Sequence, residues 1–178
     1  YMENLATTKH SMTGKPYLPH ADYVEGPCDC TGKLIDDVPA GYDMTLITYK
    51  AIAQTKSRTG GNYWLQAVYP VNFIEISPVD AKRLGFAEKD LVKIVSATNP
   101  EGIWDLGNGI RKPMIGHIRI QEGIRPGVTA FSLGHGHWAY GAREVIIDGQ
   151  TVAADPRRAT GVHGNAGMRV DPVLNNTG

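Results

Sequence analysis

Residues 134–141 concentrate side chains that are able to recognise a flat, polar molecule. They place His135, His137, Trp138 and Tyr140 among three glycines. Glycines allow a backbone to approach a ligand closely, and aromatic rings offer faces for stacking and edges for hydrogen bonding. The stretch therefore predicts contact with a planar ligand.

Two other interpretations of His135 and His137 remain open. With His117 or His163 they could ligate a metal ion, although a His-x-His pair is common by chance and no acidic cluster lies nearby to complete the ligand set. They could also be hydrogen-bonded surface histidines in a glycine-rich hairpin. We prefer the interpretation in which they contact a ligand.

Two further stretches are candidates for the same site. Residues 54–62 include Gln54, Ser57, Arg58 and Thr59, which supply amide, hydroxyl and guanidinium groups suited to anions and polar ring edges. On composition alone, a solvated loop is the better interpretation of that stretch. Residues 161–167 contain His163 and Asn165, and an asparagine side chain both donates and accepts hydrogen bonds.

Composition limits the class of protein. The 178 residues fit one domain with an irregular arm, and 18 basic residues balance 18 acidic ones, which argues against nucleic acid as the main partner. No apolar run approaches the ~20 residues that span a bilayer. Cys28 and Cys30 are too close in sequence for an unstrained disulfide. They could form half of a zinc site, but two incidental thiols in a turn are the preferred interpretation.

The elements that must position these residues are mainly strands. Residues 1–41 are broken by proline and glycine every few residues and are interpreted as an irregular arm, and residues 42–178 as a β domain. Strands are predicted near 44–49, 73–77, 91–95, 114–120, 128–133 and 145–147. One short helix is predicted at 78–84, capped by Ser77, ended by Gly85, and facing the core with Val79, Ala81 and Leu84. This pattern predicts an all-β barrel with a helical insertion.

The order and spacing of seven segments resemble one known domain. The segments are 57–59, 72–76, 80–81, 84–85, 90–92, 123–127 and 134–138. Together they resemble the molybdopterin-dinucleotide-binding domain that ends the catalytic subunits of the dimethyl-sulfoxide-reductase superfamily. The tetrathionate-reductase and respiratory arsenate-reductase branch is the most similar, and polysulfide and thiosulfate reductases are close neighbours. One departure stands out, because the family usually has glycine where this chain has Lys89.

The resemblance implies a fold, a cofactor and a set of contacts. The fold would be a double-psi β-barrel. The cofactor would be molybdopterin guanine dinucleotide carrying molybdenum or tungsten, with the metal ligated by its dithiolenes and by a residue of another domain. No residue of this chain is therefore expected to be catalytic or to bind the metal. The expected cofactor contacts are Gln54, Ser57, Arg58, Thr59, His135, His137, Trp138, His163 and Asn165.

The resemblance also implies a larger enzyme. Its parent subunit would hold an iron–sulfur cluster and reduce a sulfur or arsenic oxyanion, with tetrathionate as the first expectation. The expected partners are the remaining domains of that subunit, an iron–sulfur electron-transfer subunit, plus a membrane-anchor subunit. The complex is expected at the extracytoplasmic face of a membrane. The domain alone is expected to be inactive.

Two rival functions remain from the residues themselves. A stand-alone barrel could bind a peptide or protein, although the polar loops lack the exposed aliphatic residues that a peptide groove would favour. A small metal-dependent hydrolase could use His135 and His137 with Cys28 or Cys30, and it would contain stoichiometric zinc.

Overall fold

The chain divides into two compact units in the computed structural model, which describes residues 2–23, 26–105, 109–138 and 141–173. One unit is Tyr1–Tyr42 with Arg169–Gly178, and the other is Asp43–Met168. The sequence-based division after residue 41 lies one residue away from the structural one. The residues from Arg169 onward, however, group with the arm and not with the β domain.

The arm unit contains little regular structure. Helix α1 spans Glu3–Thr7, and a 3₁₀ turn spans Val38–Ala40. The C-terminal residues are joined to it by an ion pair between Arg169 and Asp37, 2.5 Å apart, and by the Cys30 N–H, which donates to the Asp171 carboxylate at 2.6 Å. These two contacts explain why residues far apart in sequence form one unit.

The second unit is mainly β, as predicted. Its strands are β1 Thr45–Tyr49, β2 Ile74–Ile76, β3 Leu91–Lys93, β4 Ile103–Asp105, β5 Arg111–Pro113, β6 Ile115–Ile120, β7 Val128–Ser132, β8 Val145–Ile147 and β9 Gln150–Val152. Its helices are α2 Tyr63–Val68, α3 Pro78–Leu84 and α4 Gly164–Gly167, with 3₁₀ turns at Lys56–Thr59 and Pro156–Ala159.

Five of the strands form one mixed sheet in the order β1-β7-β2-β6-β3. The β1/β7 and β2/β6 pairs are parallel, whereas β2/β7 and β3/β6 are antiparallel. Strands β4/β5 and β8/β9 form two separate hairpins. Among the described residues β1 and β3 stay at the two edges, so the strands do not close a barrel and the predicted double-psi barrel is not confirmed.

Helix α3 has the predicted bounds and caps, and Ala81 is buried as predicted, but the other two predicted core residues are not. The Ser77 hydroxyl accepts the Asp80 N–H at 3.0 Å, and Gly85 ends the helix at φ 74°. Val79 is 60% exposed and Leu84 39% exposed, so their predicted core positions are wrong. The helix instead turns Asp80 inward, where its carboxylate accepts the Gly127 N–H at 2.8 Å.

A small apolar core lies beneath the sheet. Ile74, Ile76, Ile118 and Phe131 come from strands, whereas Val162 comes from an irregular segment. All five are at most 4% exposed. Val162 therefore anchors residues 161–167 to the same core that holds the strands together.

Helix α2 was not predicted by the sequence analysis. The Asn62 side chain caps it by accepting the N–H groups of Trp64 and Leu65. The helix has only six residues, too few for an apolar periodicity to indicate it, and none of them is buried. None of the helices that the structure describes is both long and apolar enough to cross a membrane.

The departure from the family at Lys89 has a structural counterpart. Lys89 adopts φ 71°, in the left-handed region that glycine occupies without strain. Its N–H donates to the Ile118 carbonyl at 2.9 Å, and its own carbonyl lies 2.9 Å from His117 Nδ1. These contacts hold the turn in the glycine-like conformation although a lysine is present.

Lys89→Gly should therefore stabilise the chain. A left-handed non-glycine residue costs roughly 1–2 kcal/mol, and the greater freedom of glycine in the unfolded chain offsets roughly 0.5–1 kcal/mol of the gain. The free energy of unfolding in urea should rise by about 0.5–1 kcal/mol. Lys82→Gly, within α3, is the matched control and should lower it by a similar amount. A loss of stability in both variants would contradict this account of the turn.

Candidate functional site

The three candidate loops contact one another in the second unit. A Cβ atom on Gly60 would lie 3.2 Å from the Gly134 carbonyl oxygen, so the 54–62 and 134–141 loops touch. The Gly136 N–H donates to the Thr160 carbonyl at 2.7 Å. Gly136 has φ 72°, and a Cβ atom there would collide with the backbone nitrogen of His163, so glycine is required for this approach. Of the 134–141 loop, Ala139 and Tyr140 lie outside the described residues.

Asn72 fastens the 161–167 loop to the sheet. This residue is 1% exposed, and its amide nitrogen donates to the carbonyls of Ser132 at 2.8 Å and Val162 at 2.9 Å. Its amide oxygen accepts the Val162 N–H at 2.8 Å. One side chain thus satisfies both backbone groups of a buried residue and ties it to strand β7.

A narrow cleft of about 10 Å³ opens between these loops and helix α2. Gln54, Gln66 and His135 line it, together with Arg157 and Arg158. Gln54 is 3% exposed and His135 is 6% exposed. A neighbouring groove of about 180 Å³ shares Gln66 and Arg157 with the cleft and is also lined by Tyr63. Polar groups of known orientation therefore surround a concave surface.

Backbone carbonyls fix the orientation of all three polar side chains. The Tyr69 carbonyl lies 3.1 Å from Gln54 Nε2 and 3.2 Å from His135 Nε2, and the Gly60 carbonyl accepts from Gln66 Nε2. A carbonyl only accepts, so the nitrogens facing it must carry hydrogen. Gln54 Oε1, Gln66 Oε1 and His135 Nδ1 remain as buried acceptors without a hydrogen-bond partner among the described residues.

The cations at the cleft are held by a second network. Arg157 Nη2 lies 2.8 Å from the Asp155 carboxylate, and that carboxylate also accepts the Tyr63 hydroxyl at 2.7 Å. The hydrogen bond from Arg157 is the main reason that the pKa of Asp155 falls well below its usual value. Arg158 Nη2 donates to the Tyr63 hydroxyl at 3.1 Å. Two guanidinium groups are thus positioned beside the three acceptors.

Aromatic rings form a second cluster next to the cleft. The rings of His163 and Trp104 are 3.9 Å apart at 30°, and those of His163 and His137 are 5.5 Å apart at 77°. The Trp138 ring meets Trp104 edge-on at 6.3 Å. Burial lowers the pKa of His137 and takes that of His163 to about 4, and nearby Lys112 adds to both shifts. Both imidazoles are therefore neutral at pH 7.

Not all of the predicted residues reach the cleft. Gln54 and His135 line it, whereas His137, Trp138 and His163 belong to the ring cluster. The Thr59 hydroxyl accepts the Thr55 N–H at 2.8 Å and so serves its own loop. Ser57 is half-buried, and Arg58 and Asn165 are exposed. The cofactor contacts proposed for these residues stay predictions.

Several residues of the site were not foreseen. They are Gln66, Tyr69, Asn72, Trp104 and Arg158. Their roles depend on contacts between segments remote in sequence, such as the 90 positions between Asn72 and Val162. Asn72 did carry a signal, since it belongs to a segment on which the family resemblance depends. Among the described residues no three His, Cys, Asp or Glu side chains are placed to hold a metal ion.

Comparison with known proteins gives the family of the chain. Residues 44–102 match the family described as Molydopterin dinucleotide binding domain. The chain therefore carries a molydopterin dinucleotide binding domain, of the kind found in catalytic subunits of the dimethyl-sulfoxide-reductase superfamily, and its cofactor is a molybdopterin dinucleotide.

The relatives are subunits of oxyanion reductases. The chain is 39% identical to a selenate reductase subunit of Mesobacillus selenatarsenatis over 99% of its own length and 17% of that protein. It is 28% identical to a tetrathionate reductase subunit of Salmonella typhimurium, over 96% of this chain and 15% of that protein. It is 30% identical to the molybdopterin-containing subunit of the arsenate respiratory reductase of Chrysiogenes arsenatis, over 63% of this chain and 13% of that protein. The chain thus spans between about one eighth and one sixth of the length of these relatives.

The site suits such a cofactor chemically. Pterin and guanine edges carry ring N–H and amino groups, which donate hydrogen bonds to acceptors of the kind that Gln54, Gln66 and His135 leave open. A dinucleotide also carries a pyrophosphate, for which guanidinium groups are suitable partners. Arg157 and Arg158 provide such groups at the same cleft.

Asn72→Ala should destabilise the domain strongly. It would leave a buried N–H and two buried carbonyls without their partner, and we expect a loss of about 2–4 kcal/mol in the free energy of unfolding. Asn165→Ala is the matched control at an exposed position and should change it by less than about 0.5 kcal/mol. Equal small losses would show that the loop does not depend on Asn72.

Acid should weaken the ring cluster. His163 has a folded pKa of about 4, below the ordinary value of 6.5, so the unfolded chain binds more protons between those limits. Stability should therefore fall as the pH is lowered from about 6.5 toward 4. His163 also caps α4 by accepting the Asn165 N–H, a role that asparagine fills without titrating. His163→Asn should flatten the plot of urea midpoint against pH, and an unchanged slope would count against this origin of acid sensitivity.

Proposed function

We propose that the cleft lined by Gln54, Gln66 and His135 binds the donor-bearing ring edge of molybdopterin guanine dinucleotide within a larger oxidoreductase subunit. The observation that carries this proposal is the set of three buried acceptors without partners at one cleft, among the residues that the structure describes. Leaving a buried polar group unsatisfied costs about 1–3 kcal/mol, so three together indicate a surface that a ligand completes.

The polarity of the cleft narrows the choice of ligand. Each of the three open atoms accepts a hydrogen bond, and an edge with adjacent ring N–H and amino groups pairs with such atoms. An ionised phosphate or carboxylate only accepts hydrogen bonds, so it could not form one with these three acceptor atoms. Anionic parts of the ligand would instead lie toward Arg157 and Arg158 on the rim of the cleft. The cofactor carries donor-bearing ring edges and anionic phosphates. This would explain why hydrogen-bond acceptors and guanidinium groups occur side by side at the cleft.

The 54–62 loop contributes to the proposed site from its outer side. Arg58 lies in the 3₁₀ turn Lys56–Thr59, two residues before Gly60, which approaches the 134–141 loop. The exposed Arg58 guanidinium would contact the charged part of the cofactor. Ser57 and Asn165 are assigned to the same ligand as further contacts at its periphery.

The larger protein would be an oxyanion reductase in which the bound cofactor supplies two-electron chemistry at its metal. The relatives include subunits of selenate, tetrathionate and arsenate reductases, so the proposal extends to oxyanions of selenium, sulfur and arsenic. The first expectation, tetrathionate, has less support than this broader class, since the selenate-reductase subunit shares 39% identity whereas the tetrathionate-reductase subunit shares 28%.

The remaining parts of the assembly are also proposals. An iron–sulfur cluster in the same polypeptide, an iron–sulfur partner subunit, plus a membrane-anchor subunit would pass electrons to the cofactor on the extracytoplasmic face. For the fold, the interleaved parallel pairs β1/β7 and β2/β6 support a double-psi barrel topology. Contact with the rest of the polypeptide would complete the cofactor pocket.

The test is cofactor retention by the complete polypeptide that carries this chain. His135→Gln keeps a donor at the position of Nε2 but removes the Nδ1 acceptor, whereas His135→Asn offers an acceptor near the position of Nδ1. Loss of such a hydrogen bond should weaken binding by about 5- to 100-fold. Pterin and metal content per polypeptide, measured after prolonged dialysis, should therefore fall in His135→Gln and recover in part in His135→Asn.

Two further substitutions complete the test. Arg58→Ala should weaken retention by roughly 10- to 100-fold if the arginine holds a charged group of the cofactor. Lys82→Ala, which removes an exposed cation from α3, is the control and should retain full cofactor. Full loading of the His135→Gln and Arg58→Ala proteins would rule out this site.

A further inference from the structure

The groove beside helix α2 is continuous with the cleft. It has a volume of about 180 Å³, and Tyr63 and Ala67 line it on the side of the helix. Four further residues line both the groove and the cleft, namely Gln66, Pro70, Arg157 and Thr160. The two therefore form one concave surface, with the buried acceptors at one end and the groove at the other.

The cleft by itself is too small to hold a ring. Its volume of about 10 Å³ corresponds to roughly one water molecule, whereas a cavity of roughly 150 Å³ accommodates one benzene ring. Only the edge of a heterocycle can therefore approach the open acceptors of Gln54, Gln66 and His135. The body of such a ligand must lie outside the cleft, and the adjoining groove has the volume to receive it.

The lining of the groove suits the face of a flat ligand. Ala67 and Pro70 contribute apolar groups. The polar groups beside them have partners within the protein, because the Thr160 hydroxyl donates to the Pro70 carbonyl at 2.7 Å and the Tyr63 hydroxyl donates to Asp155 at 2.7 Å. Ligand sites generally combine apolar walls with a few well-placed polar groups. Here the groove provides the apolar wall and the cleft provides the polar groups.

Hydrogen bonds fix both sides of the groove. The Asn62 side chain caps the start of α2. Tyr63 joins this helix to Asp155, which caps the 3₁₀ turn Pro156–Ala159 by accepting the Arg157 N–H at 3.0 Å. A groove whose two sides are tied together in this way needs little rearrangement when a ligand binds, and this favours affinity.

We propose that the groove holds the body of the fused heterocycle whose donor edge enters the cleft, and that Ala67 keeps the space for it. The ligand class is a planar fused ring system with a ring N–H beside an amino group. Both the pterin and the guanine of the cofactor belong to this class. The inference rests on the proposed function of the cleft, and it assigns a role to a small residue of a surface helix.

The test is a series of substitutions at Ala67 in the complete polypeptide that carries this chain. Ala67→Ser changes the side-chain volume little, whereas Ala67→Leu and Ala67→Phe extend progressively into the groove. Added volume in a packed contact should weaken binding by about 5- to 100-fold. Pterin and metal content after prolonged dialysis should therefore stay full in Ala67→Ser, fall by about 5-fold in Ala67→Leu and fall further in Ala67→Phe.

Val68→Phe is the matched control. Val68 is the next residue of α2, is 71% exposed, and is not among the described residues that line the groove or the cleft. This variant should retain full cofactor. The urea midpoint of every variant is measured alongside and should change little, because Ala67 and Val68 are both exposed.

Competition distinguishes the two ring systems of the cofactor. The wild-type polypeptide is dialysed against excess guanosine monophosphate and, separately, against excess hydroxymethylpterin. The compound with the matching ring competes for the groove and should accelerate the loss of pterin and metal. The acceleration should be weaker in Ala67→Leu, because the larger side chain excludes the competitor as well.

The outcomes separate this inference from the proposed function. Full retention in Ala67→Phe, with cofactor lost in His135→Gln, would overturn the role of the groove and leave the proposed function intact. Equal losses in Ala67→Phe and Val68→Phe would show a general effect of bulk on α2 and also overturn it. Release that neither compound accelerates would count against the groove as well. Full retention by His135→Gln would remove the cleft as the cofactor site, and the groove with it.

Discussion

The candidate site depends on the three hydrogen bonds of the buried Asn72 amide. Residues 161–167 approach the core through Val162, whose N–H and carbonyl are both remote from water. A strand would satisfy these groups by pairing, but the irregular backbone of this loop does not pair with the sheet there. Asn72 supplies one acceptor and two donor hydrogens in a fixed plane, so one residue replaces a strand partner. Once Val162 is fixed, Gly136 and His163 come into contact, and the ring cluster follows from that contact.

Backbone carbonyls then determine what the cleft can bind. Glutamine and neutral histidine are each both donor and acceptor, and by themselves they would suit many ligands. The Tyr69 carbonyl accepts from Gln54 Nε2 and His135 Nε2, and the Gly60 carbonyl accepts from Gln66 Nε2. These contacts leave the two amide oxygens and His135 Nδ1 as open acceptors. Selectivity for a donor-bearing edge therefore comes from the main chain behind the side chains. This is also why Tyr69 matters although its own side chain lies outside the cleft.

The sequence predicted those features that depend on neighbours along the chain. Helix α3 has its cap at Ser77 and its stop at Gly85, which are both visible within nine consecutive residues. The order of the sheet could not be predicted in this way, because β1 pairs with β7 across 83 positions. The same holds within the site. The composition of their loop made His135 and His137 candidates, whereas Gln66 and Tyr69 have contacts that only the fold brings near.

Charge and recognition are separated within the site. The imidazoles of His135, His137 and His163 and the amine of Lys112 all have lowered pKa values, chiefly because burial disfavours their charged forms. Four potentially cationic groups can pack this closely only if most of them are neutral, since like charges at such distances repel strongly. Arginine does not lose its proton at any relevant pH, so Arg157 and Arg158 keep a permanent positive charge at the rim of the cleft. A ligand with a neutral ring edge and an anionic chain therefore has one orientation in which both parts are matched, and the reverse orientation would place its anion against three lone pairs.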